Sequence, residues 1–69
     1  MDTIEERALV IVREKKEEEG DLPTVRDLVQ ILRSEGFNGT DVRPKIMLLI
    51  ERGILKLGWD NKLRLSTST

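Results

Sequence analysis

The chain has no cysteine, no histidine and no tyrosine, and only one tryptophan and one phenylalanine in 69 residues. Without cysteine there is no disulfide, and without cysteine or histidine there is no zinc site of ordinary composition. The same gaps remove the usual nucleophiles and general bases, and there is no glycine-rich phosphate loop, so catalysis is not expected. No apolar run approaches the 18 or so residues of a membrane span, and no secretory signal pattern is present. The expectation is a soluble, intracellular, cytoplasmic chain with no metal, cofactor, membrane or small-molecule substrate. With a net charge of −1, the chain as a whole has little attraction for polyanions.

What is present is aliphatic and charged. A domain of this size buries only about 60% of its unfolded surface. Its one core must therefore be built from Leu, Ile and Val. The charges are unevenly placed. Residues 1–39 hold six basic and ten acidic side chains, net −4, whereas residues 40–69 hold six basic and three acidic, net +3. Such a split suggests that the C-terminal half meets an anion.

The first element is expected to run from Asp2 or Thr3 to about Glu19, with Thr3 and Glu6 as a capping box. Ile4, Ala8, Ile11 and Val12 recur at helical spacing, with Leu9 beside them. Glu17, Glu18 and Glu19 oppose the helix dipole, so fraying is expected after Lys16, and Gly20 supplies the stop. Leu22 precedes proline and is pushed into extended conformation. A second helix is predicted from Thr24 to about Ser34, with Thr24 as N-cap, Asp27 in the first turn and Leu28, Ile31 and Leu32 facing the core. Gly36 caps it, Phe37 closes the cap, and Asn38-Gly39 reads as a turn.

The third helix is expected to begin at Thr40 or Asp41. With Asp41 as N-cap, Pro44 takes the third helical position, where a missing N–H is harmless. Val42, Ile46, Leu49 and Ile50 point inward and Gly53 ends the helix. From Ile54 to Ser66 the period changes to two. A three-residue loop, Trp59-Asp60-Asn61, with Asn61 left-handed, pairs Leu57 with Leu63 and Leu55 with Leu65. All four leucines then share one face, and Lys56, Lys62 and Arg64 share the other. A two-residue turn would slip the register and mix leucines with charges. Residues 67–69 read as a disordered tail, leaving 1–66 as one domain.

The stretches LPTVRDLVQIL, EGF and LLIERGILKL, in this order, resemble the winged helix-turn-helix superfamily across residues 3–66. The resemblance implies an α+β winged helix: three helices and a C-terminal two-stranded β-hairpin wing, with a minimal strand at Leu22-Pro23 pairing with the wing. It further implies binding of double-stranded DNA, as a transcriptional regulator or a replication-associated accessory domain. In that superfamily the third helix enters the major groove and the wing touches backbone or minor groove. By position this nominates Thr40, Arg43, Lys45, Met47 and Arg52, and in the wing Lys56, Trp59, Asn61, Lys62 and Arg64.

The residues themselves qualify that picture. The outer face of helix 3 is Pro44, Met47, Leu48 and Glu51. It has no base-reading side chain at its centre and one carboxylate. Any DNA contact is therefore expected on the flanks and the basic wing, through phosphates. The alternative is a protein-interaction module, homodimeric or with another partner, using exposed Met47, Leu48 and Trp59. Trp59 itself has two readings: a recognition residue at the hairpin tip, or a ring folded back over Leu57 and Lys62.

Overall fold

The computed structural model describes residues 2–66. Three helices and one hairpin make a small α+β domain: α1 (Thr3–Glu14), α2 (Val25–Ser34), α3 (Gly39–Glu51), β1 (Leu55–Leu57) and β2 (Leu63–Leu65), with a wider π-helical turn, Lys15–Glu19, closing α1. The expected tail, residues 67–69, lies outside the described residues.

Each helix start is set by one side-chain oxygen. At α1 it is Asp2, not Thr3: Asp2 Oδ1 accepts from the Ile4 N–H at 2.9 Å, and Thr3 is the first helical residue. A carboxylate both caps this terminus and complements its positive dipole end, so it displaces the hydroxyl one residue on. At α2 the expected box is present, with Thr24 and Asp27 bonding reciprocally at 3.1 Å. At α3 the expectation is corrected. Asn38 is the N-cap, accepting from the Thr40 N–H at 3.0 Å, and Gly39 is already helical. Pro44 therefore stands inside the helix. Both Pro44 and Thr40, whose carbonyl would have paired with the missing N–H, are exposed residues, so the helix tolerates the ring there.

The helix ends follow the glycines. Gly20 and Gly53 adopt left-handed conformations at φ 65° and 76°, which cost a side-chain-bearing residue about 1 kcal/mol or more. The first helical element runs to Glu19, the expected end. Its last turn widens to the π form, and the Gly20 N–H donates to the Lys16 carbonyl at 3.2 Å.

The core is the aliphatic set that helical and strand periodicity pick out. Ala8, Val12, Leu28, Leu32, Val42, Ile46, Leu49, Leu55 and Leu63 are almost wholly enclosed, with Ile4 and Ile11 at the margin. Each large side chain buried in this way stabilises by about 1.5–3 kcal/mol. Leu9, Ile31, Phe37, Ile50 and Leu65 pack around them.

The hairpin has the expected register: Leu55 opposite Leu65, Lys56 opposite Arg64 and Leu57 opposite Leu63, with Asn61 at φ 64°. Its core face lies on α1 through β2. The extended residues before α2 add a third, minimal edge: Thr24 bridges Lys62, and the Leu63 N–H donates to the Pro23 carbonyl at 2.7 Å. This edge fixes the hairpin to the N-terminus of α2, close to the first turn of α3.

Candidate nucleic-acid interface

Helical geometry divides the cations of α3 between two sides. Lys45 and Arg52 are seven residues apart and share a stripe. That stripe faces the start of α1. Lys45 Nζ bonds Asp2 Oδ2, and Arg52 Nη1 lies 3.7 Å from Glu5 Oε2. Thr40 and Arg43 occupy a different side, beside α2 and the hairpin.

In the hairpin, Lys62 Nζ reaches Asp21 Oδ1 at 2.7 Å, and Arg64 Nη2 lies 3.3 Å from Asp60 Oδ2. These pairs shift the groups that make them. The hydrogen bond from Lys45 holds Asp2 below the ordinary carboxylate value, and Asp2 in turn raises Lys45. Asp21 raises Lys62, and the Lys62 backbone N–H lowers Asp60. All of these pairs remain in contact with water, which screens them and leaves them weak. A phosphate can therefore displace them.

The −4 and +3 halves of the chain thus meet each other first. Asp2, Glu5 and Asp21 from one half take Lys45, Arg52 and Lys62 from the other. Of the nominated cations, Arg43 and Lys56 have no ion pair among the described residues.

Arg43 does not stand alone. One shallow concavity is lined by Arg43, Arg33, Val29, Asn38, Gly39 and Thr40. A second is lined by Arg43, Arg26, Thr24, Val25, Leu57 and Asn61. Arg43 borders both, so the two lie side by side as a strip from the α2–α3 turn to the hairpin. No acidic side chain lines either concavity, and Arg26, Arg33 and Arg43 have no ion pair among the described residues. The opposite side of α2 is different: Asp21 and Asp27 line one groove there, and Glu14, Glu18 and Glu35 line another. On that side Glu35 accepts a bidentate contact from Arg7, at 2.7 and 3.1 Å.

The structure brings together Thr40, Arg43 and Asn61 of the ten nominated residues. It sets Lys45 and Arg52 on the α1 side and holds Lys62 and Arg64 against carboxylates. Lys56 is exposed on the strand. Arg26 and Arg33 were not nominated. Their signal is in the sequence, since positions 26, 29 and 33 form one stripe of an amphipathic helix, but nothing local says that Arg43 would lie beside them.

The apolar candidates also separate. Met47 is 45% exposed and Leu48 is half-buried, outside the core cluster. Trp59 is 95% exposed, so the ring does not fold back over Leu57, which is itself exposed. Among the described residues no helix is long and apolar enough to cross a membrane. Comparison with protein-family models, with curated proteins and with solved structures returned no match.

Proposed function

We propose that this domain is a winged helix-turn-helix module that binds double-stranded DNA through the phosphate backbone, in a transcriptional or replication-associated role. The order of helix, short edge, helix, turn, helix and hairpin is consistent with that layout. The observation that carries the reading is the acid-free strip of Arg26, Arg33 and Arg43. It runs beside the first turn of α3 and ends at the hairpin. Arginine suits phosphate because its planar fork binds two oxygens at once. The outer face of α3, with Pro44, Met47 and Glu51, offers little to read base edges, so the contact positions the protein without specifying a sequence.

Titration of a mixed-sequence duplex at two salt concentrations tests this. Binding should weaken steeply with salt, because each neutralised phosphate releases counterions. Absence of binding at low salt overturns it.

The second reading is protein contact through Met47, Leu48 and Trp59, supported by the exposure of Met47 and Trp59. It predicts that Met47→Asp abolishes self-association or partner capture with the fold intact. An unchanged sedimentation profile counts against it.

A further inference from the structure

The hairpin tip is braced, and among the described residues its tryptophan has no hydrogen-bond partner. The Asn61 N–H donates to the Gly58 carbonyl at 2.9 Å, and the Lys62 N–H donates to Asp60 Oδ1 at 3.1 Å. The Arg64 guanidinium and the Asp60 carboxylate fill the space a side chain at position 58 would need, 2.9 and 2.7 Å from its Cβ. The indole lies outside this cluster and is 95% exposed. The loop backbone that carries the ring is held by these contacts, so little backbone ordering is needed when a ligand arrives. Two residues on, Asn61 lines the concavity that holds Arg26 and Arg43.

From this arrangement we infer that Trp59 is a stacking platform for an unpaired nucleotide base, so that the module favours DNA where the duplex is interrupted. The inference rests on the DNA-binding reading and goes beyond it. Indole carries no charge and a single N–H donor, so an intact duplex, which shows phosphates and base edges, gives it little to hold. An unpaired base offers a π-face, and every base has one, so the contact is independent of sequence. An aromatic ring next to a cationic track is the combination that binds such a strand: the cations hold its phosphates while the ring takes a base.

Trp59 is the only tryptophan and there is no tyrosine, so intrinsic fluorescence reports this ring alone. The test compares a short blunt duplex with the same duplex carrying a central run of unpaired thymines, for the wild-type chain, Trp59→Ala and Trp59→Phe. Identical ends make the bulge the only difference. The wild-type chain should bind the bulged duplex about tenfold more tightly, the size of one base–aromatic stack, with quenching of Trp59 confined to that duplex. Trp59→Ala should lose the preference but keep its affinity for the blunt duplex, and Trp59→Phe should retain most of it. The ring buries almost nothing, so neither variant should melt differently. Equal affinity and equal quenching for the two duplexes overturn the inference while leaving duplex binding intact. So does a preference that survives Trp59→Ala. Binding to neither duplex at low salt overturns the DNA reading, and this inference with it. A change in sedimentation of the free protein on Trp59→Ala, without base-dependent quenching, assigns the ring to a protein contact instead.

Discussion

Arg52, at the end of α3, places its guanidinium 3.7 Å from the carboxylate of Glu5, in the first turn of α1. Glu5 is only 5% exposed, and its Oε2 accepts no hydrogen bond. An enclosed carboxylate oxygen without a hydrogen bond depends on nearby charge; Arg52 is its ion-pair partner, and Lys45 adds a weaker attraction. Arg52→Ala should therefore destabilise the domain by about 1–2 kcal/mol. That is less than the roughly 3–5 kcal/mol of a fully buried pair, because the guanidinium remains largely in water. Glu5→Gln or Glu5→Met should be neutral or stabilising, since an uncharged side chain of similar volume has no desolvation penalty. Urea denaturation of the variants measures both.

Charge reversal along the strip should separate the two groups of cations. Arg33→Glu and Arg43→Glu should each lower affinity for a mixed duplex by about tenfold or more at low salt. The corresponding alanine variants should each make the dependence of log affinity on log salt shallower, by about 0.9 for every phosphate that the removed guanidinium had neutralised. Arg52→Gln should change duplex affinity little, because its partner is Glu5 on the α1 side. Anisotropy of a labelled duplex, read at several salt concentrations, gives both quantities. Equal effects at Arg43 and Arg52 would contradict the division of α3 into two sides.

Lys62 is held by Asp21 across 2.7 Å, so a phosphate must displace that carboxylate to reach it. Asp21→Asn removes the competitor without emptying the space. Duplex affinity should rise by a few-fold, with a steeper salt dependence, as one more cation becomes available. An unchanged slope on titration shows that Lys62 lies outside the contact.

Acid should weaken the fold through three carboxylates. Asp2, Glu35 and Asp60 all titrate below their ordinary values of 3.8, 4.5 and 3.8, through hydrogen bonds from Lys45, Arg7 and the Lys62 backbone N–H respectively. A carboxyl whose native pKa is depressed binds fewer protons folded than unfolded. Its contribution is complete above the ordinary value and is lost as pH falls through the lowered one. Thermal melts should therefore be flat above about pH 5 and fall below about pH 4. Asp2→Asn and Glu35→Gln should each flatten that decline.

Much of the fold was legible because its signals are local. Leucine alternation in residues 55–65, with Asn61 placed to turn left-handed, admits only one register that keeps charges off the core. Gly20, Gly36 and Gly53 stop the helices where expected, because few other residues take up positive φ cheaply. The starts of α1 and α3 were less legible. Asp2 and Thr3, or Asn38 and Asp41, are all competent caps within a few residues, and the local sequence does not rank them. Pro44 argued for a later start to α3, but its exposed position lets the helix run through it.

The binding surface was less legible still. The sequence alone determined the aliphatic core, the hairpin register, the exposed character of α3's outer face and the charge imbalance between the halves. Only the tertiary structure decided what that imbalance means. Folding places Asp2, Glu5 and Asp21 against Lys45, Arg52 and Lys62, so half of the cations in the basic half are answered by carboxylates of the acidic half. It also brings Arg26 and Arg33, from the acidic half, alongside Arg43. Charge counted along the chain takes no account of distance, whereas Coulomb attraction falls with separation and screening over about 10 Å. Contacts between residues more than forty positions apart are therefore set by the packing of α1, α2 and the hairpin around one core.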